Sequence, residues 1–127
     1  MTIRTDKPEA EVGLYDGEDL LQHEAWLAHR QLAETIHSKL HQLLEDAHKG
    51  WQDIEGIIVF QGPGSFTGLR IGLTVANTMA QALDVPIVGC TGDNWQKQGL
   101  SRIKDGEDGR VIAPDYGAPV HITPQKK

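Results

Sequence analysis

The stretch from Phe66 to Leu83 carries more apolar circumference than one neighbour can cover, and this limits what the chain can fold into. On a helical wheel Ile71, Ala82, Val75, Gly68, Met79, Gly72, Leu83, Ala76, Leu69, Ala80, Leu73 and Phe66 form one arc. The arc spans roughly 220°, about twice the stripe of an ordinary surface helix. Arg70, Asn77, Gln81 and the threonines Thr67, Thr74 and Thr78 fill the remainder. A helix lying on a sheet needs one apolar side, so something else must cover the excess. Within the arc Gly68, Gly72, Ala76 and Ala80 recur at every fourth position. Small residues at that spacing let another helix backbone come close and bring more atoms into van der Waals contact. Each glycine inside a helix costs about 1 kcal/mol relative to alanine, which is understandable if the bare surface is needed for packing. An earlier helix of the same chain can cover part of this face, but it also needs a sheet-facing stripe of its own. Helices of a second chain are expected to cover the rest, in a homodimer or a heterodimer.

The elements around this helix read as α/β. Thr2–Ile3 is short and extended, and Glu11–Tyr15 alternates as a strand should. Asp16-Gly17 is a two-residue hairpin signal before a strand over Leu20–Trp26. From about His29 to His48 the period turns helical, with Leu32, Ile36, Leu40, Leu43 and Ala47 on one stripe, widened by Ala33 and Leu44. Lys49-Gly50 is a plausible stop. Ile57–Phe60 and Pro86–Gly89 are unbroken apolar runs, the mark of strands buried on both faces. Ser65 is a good N-cap for the helix to Leu83, and Asp93–Leu100 reads as a short helix. Asp105–Gly109 is a polar turn or linker; Val111–Ala113 and Val120–Ile122 are candidate short strands. The order is βββ-α-β-α-β with mixed pairing.

At 127 residues and a formal net charge of −6, the chain can hold one domain and no strong grip on nucleic acid, because such binding relies on Lys and Arg at phosphates. The sole basic run is Lys126-Lys127. No apolar run reaches the ~18 residues of a membrane span, no signal-peptide core is evident, and one cysteine, Cys90, leaves no disulfide framework. These features fit the cytoplasm.

The run Gly62-Pro63-Gly64-Ser65-Phe66-Thr67-Gly68-Leu69-Arg70-Ile71-Gly72 resembles the signature of the TsaB (YeaZ) family. The likeness continues in Ile3-Arg4-Thr5 with Pro8-Glu9-Ala10, in Leu43-Leu44 and Asp53-Ile54, in Val85–Gly89, and in Ala113-Pro114-Asp115-Tyr116. By this resemblance the fold is a single ribonuclease-H-like lobe of the actin/Hsp70-type superfamily, with a mixed sheet in βββαβα order. Residues 1–103 would form the lobe, and 104–127 a linker and short C-terminal tail in place of the family's second lobe. The chain reads as a naturally short form, a truncated piece being the alternative. The resemblance also implies a non-catalytic role in threonylcarbamoyladenosine synthesis on tRNA. The partner would be a TsaD-like catalytic subunit met through the two long helices, with a TsaE-like ATPase docking on the pair. The expected interface is Gly68, Leu69, Gly72, Leu73, Ala76 and Ala80, with Ala33 and Leu44; a homodimer through the same helices is the variant.

Residues that could suggest catalysis are few. His37 and His41 stand at i, i+4 on the first helix, a spacing that can hold zinc. They lack the general-base Glu and an evident third ligand, and read better as a polar edge. Catalytic relatives carry His-x-x-x-His after the strand matching Pro86–Gly89, where this chain has Cys90-Thr91-Gly92-Asp93-Asn94-Trp95. Arg4 occupies the place of an acidic residue common in the superfamily, and arginine cannot hold Mg²⁺. The Gly62–Gly68 loop could cradle an anion at a helix N-terminus, but it lacks the Gly-Lys-[Ser/Thr] of a Walker loop and reads better as a tight turn. Ser65 has no Gly-x-Ser-x-Gly setting. No metal and no cofactor are expected. The rival reading is a small metal- or nucleotide-dependent enzyme, glycoprotease-like or phosphotransferase-like, that uses the loop.

Overall fold

Alternation of apolar and polar residues builds three N-terminal strands: β1 (Thr2–Arg4), β2 (Glu9–Asp16) and β3 (Asp19–Leu27). This computed structural model describes residues 1–115; the candidate strand at Val120–Ile122, Tyr116 and the terminal lysines lie outside the described residues. The hairpin turn falls one position later than Asp16-Gly17. Asp16 still pairs with Asp19, and Gly17-Glu18 make the loop, with Gly17 supplying the required positive φ of 60°.

The sheet has five strands in the order β3-β2-β1-β4-β5, where β4 is Ile57–Phe60 and β5 is Ile87–Cys90. β1 and β2, and β2 and β3, run antiparallel; β1 and β4, and β4 and β5, run parallel. Both β4 and β5 are buried along their whole length, as their unbroken apolar runs predict. β5 begins one residue after Pro86, whose carbonyl still accepts from the Ile57 amide at 2.9 Å.

Helix α1 (Leu32–Asp46) follows a single 3₁₀ turn at His29–Gln31. It buries Leu32, Ile36, Leu40, Leu43 and Leu44. The stop expected at Lys49-Gly50 comes earlier. His48 takes φ 57°, and the Lys49 and His48 amides return to the Leu44 and Glu45 carbonyls at 2.9 and 3.0 Å. That is a Schellman closure in which histidine fills the usual glycine place. Helix α2 (Phe66–Leu83) ends in the same way, with Asp84 at φ 56°. Ser65 stands at its N-cap position without a side-chain cap bond. Instead its backbone N–H donates to the Asp6 carbonyl at 3.1 Å, so the start of α2 is tied to the chain leaving β1.

Helix α3 covers Trp95–Lys104, beyond the expected limit at Leu100. Gly99, which weakens the helical signal, lies against the Ile58 side chain where any Cβ would collide, so the glycine admits α3 to the sheet. Ile58 and Phe60 meet α3. Strand alternation therefore places α3 on the face opposite α1 and α2. The stretch after α3 is no free linker. The Asp108 carboxylate accepts from the Ile87 and Arg110 amides at 3.1 and 2.9 Å, and Gly109 N–H donates to Ile87 O at 2.7 Å. Val111–Ala113 is not a strand: Asn77 of α2 holds Ile112 by two bonds of 2.9 and 2.8 Å, and Gln61 Nε2 holds the Ala113 carbonyl at 2.8 Å.

Candidate functional site

The small-residue stripe of α2 faces inward. Thr5, just past β1, donates from Oγ1 to the Gly68 carbonyl at 2.7 Å. A Cβ on Gly68 would strike the Thr5 carbonyl, and one on Gly72 would strike the Thr5 side chain. Leu69, Leu73, Ala76 and Ala80 are buried in the same core. Leu44 of α1 is buried as well. The expectation that Gly68, Leu69, Gly72, Leu73, Ala76, Ala80 and Leu44 face a foreign helix is thereby corrected for six of the seven, and Gly68, half-buried, presents its bare face to Thr5. The close approach these residues allow is to the chain's own sheet and to Thr5. Of the expected interface, Ala33 remains exposed.

The rest of the arc is left partly open. Phe66 is 54% exposed, Ala82 is exposed, and Ile71, Val75 and Leu83 are half-buried. Between α1 and α2 lies an open groove of about 520 Å³ lined by Ala33, His37, Phe66, Thr67, Arg70, Ile71, Thr74 and Val75. The guanidinium of Arg70 stands 5.3 Å from the centre of the Phe66 ring. The wheel identified the excess, whereas its position on this flank escaped sequence reasoning.

The signature loop is a packed turn. Gly62 is buried with φ 124° beside the Asp115 carbonyl, and Gly62-Pro63 is a cis peptide. Gly64 lies against Asp6. Pro63, Ser65 and Thr67 are exposed.

On the α3 side, Arg4 holds both oxygens of the buried Asp6 at 2.7 and 3.1 Å. Its guanidinium also covers the Phe60 ring at 3.8 Å, and Phe60 meets Trp95 edge-on at 5.8 Å. Arg102 donates to the Gly89 carbonyl at 2.6 Å and to Cys90 Sγ at 3.3 Å, and pairs with Glu107. Burial pushes the Cys90 thiol above its ordinary value, against the opposing pull of Arg102, so the sulfur is not poised as a thiolate nucleophile. Hydrogen bonding from Arg102 lowers the Glu107 carboxyl. His37 and His41 are both exposed, and His41 lies 3.3 Å from Glu45. Among the described residues no helix is long and apolar enough to cross a membrane.

Comparison with known proteins adds a second line. The family model described as TsaD: tRNA N6-adenosine threonylcarbamoyltransferase matches residues 26–91. The Bacillus subtilis tRNA threonylcarbamoyladenosine biosynthesis protein TsaB is 52% identical over 48 residues, 38% of this chain and 21% of that protein. The tRNA N6-adenosine threonylcarbamoyltransferase of Geotalea uraniireducens is 41% identical over 63 residues, 50% of this chain and 18% of that one. YeaZ from Pseudomonas aeruginosa has the same fold, with a TM-score of 0.67 at 23% identity, covering 77% of this chain and 48% of that structure. The chain thus spans between about a fifth and a half of the lengths of these proteins.

Proposed function

We propose, because the chain belongs to the TsaD family of tRNA N6-adenosine threonylcarbamoyltransferases and to its TsaB (YeaZ) members, that it is a non-catalytic subunit in threonylcarbamoyladenosine modification of tRNA. In this reading it binds a TsaD-like catalytic subunit through α1 and α2, and a TsaE-like ATPase docks on the assembled pair. The work is done in the cytoplasm, where tRNA is modified. The observation that carries the reading is the groove between α1 and α2. It leaves Phe66 exposed and Ile71 and Val75 half-covered on a helix whose other side is already buried in its own sheet. A strip of this kind, open between two helices and apolar at Ala33, Phe66, Ile71 and Val75, suits the ridges of a third helix. The non-catalytic part is supported by Arg4, whose guanidinium occupies both oxygens of Asp6. A divalent cation brought to that carboxylate would face a fixed positive charge.

The interface is tested by co-purification with the TsaD-like subunit of the same source. Ile71→Glu and Val75→Arg should each lose the partner while the chain stays folded. Ala82→Arg, an exposed position of α2 outside the groove, should keep it. Retention of the partner by both groove variants sinks the assignment. Tight stoichiometric ATP or metal binding by the isolated chain would overturn the non-catalytic role.

A further inference from the structure

The groove has an electrostatic character opposite to that of the chain. Acidic residues outnumber Lys and Arg by 18 to 12 in the whole sequence, yet no Asp or Glu lines the groove, while Arg70 and His37 both do. Arg70 is the only charged residue of α2. The other two arginines that border the sheet are paired, Arg4 with Asp6 and Arg102 with Glu107. Among the described residues neither Arg70 nor His37 forms an ion pair.

Arg70 also stands where it cannot be avoided. Its guanidinium is held near the Phe66 ring, which is the largest exposed apolar surface of the groove. A helix that covers Phe66, Ile71 and Val75 must take Arg70 out of water with them. Removing a guanidinium from water without a partner is strongly unfavourable, whereas a carboxylate can accept two parallel bonds from it. His37 across the groove can donate from one ring nitrogen even when neutral. We infer that the occupant of the groove is an amphipathic helix of the catalytic partner whose apolar face carries a carboxylate, received by Arg70 and His37. This rests on the groove being the partner-binding face, and it adds the chemistry by which the correct helix is recognised. Charge pairs set within an apolar contact give selectivity against helices of the wrong charge.

The test is titration calorimetry of the full chain with the TsaD-like subunit at about 50 mM and about 500 mM KCl, conditions that separate screened from unscreened charge. Wild-type affinity should fall as salt rises. Arg70→Met keeps the apolar stem and removes the charge. It should weaken binding about tenfold at low salt and flatten the salt dependence. Arg70→Glu should weaken binding further than Arg70→Met, and His37→Leu should weaken it less than Arg70→Met. Thermal melts of each variant should match wild type, since both positions are exposed. Wild-type binding that Val75→Arg abolishes but Arg70→Met leaves unchanged at both salts would overturn the carboxylate and keep the groove. Failure of wild type to bind, or full binding by Val75→Arg, would remove the groove reading and the carboxylate with it.

Discussion

The two sides of α2 do different work. The inner side presents glycine and alanine to Thr5 and the sheet, and the contact is so close that a Cβ at Gly68 or Gly72 has no room. The outer side presents Phe66, Ile71 and Val75, larger groups that the chain itself covers only in part. Small residues here serve the lobe's own assembly. Bulky ones on the flank are those left over for something else. A stripe of small residues on a helix is therefore a statement about how near the neighbour lies, and says nothing about whose backbone that neighbour is.

The contrast can be broken most forcefully at Gly72. Gly72→Leu must displace Thr5 or lift α2 off the sheet, and should destabilise the chain by about 3 kcal/mol or more, read as a lowered urea midpoint with an unchanged slope. The same substitution on a surface meant for a foreign helix would leave the isolated chain stable, so a normal midpoint would reverse the assignment of the two sides. Next in size is Thr5→Val. It keeps the shape and removes the 2.7 Å bond to Gly68 O, for an expected loss of about 1 kcal/mol. Val75→Arg probes the other side. Its half-buried position lets the long stem lie along the groove with its charge in water, so stability should move by less than about 1 kcal/mol. A larger loss would mean that the flank belongs to the core.

The smallest effect is expected far from both sides, at Asp108. Backbone N–H groups of Arg110 and Ile87 lower its carboxyl below the ordinary value of 3.8. A depressed folded value means that the bonds add stability above the unfolded value and that this is lost as pH falls through the folded one. The segment after α3 should therefore loosen only in acid below about pH 4. The amide resonances of Ile87 and Arg110 should shift together there, and Asp108→Asn should abolish the shift.

Much of the fold was legible in the sequence. β4 and β5 announce themselves as apolar runs too short for helices, and the stripe from Leu32 to Leu43 marks the buried side of α1. Misplacements occurred where a residue did something its type seldom does. His48 closes α1 in the left-handed conformation, and Gly99 sits inside α3 because Ile58 needs the space. The bonds that tie residues 108–113 to Gln61, Asn77 and the Ile87 amide are also long-range, joining side chains to backbone groups distant in sequence. Local pattern carries no trace of such contacts. The candidate groove was half legible: its existence followed from the width of the arc, its location did not.

Periodicity alone established that α2 has more apolar surface than one sheet face can use, since spacing along a helix fixes which side chains share a side. It could not decide which sector turns inward, because glycine and alanine favour close approach to a sheet edge and to a helix alike. That choice was made by Thr5. The chain leaving β1 brings its carbonyl and hydroxyl against α2, and no residue with a Cβ fits there. The bare stripe had to face inward, beside Leu69 and Leu73, and Phe66, Ile71 and Val75 were turned toward the groove.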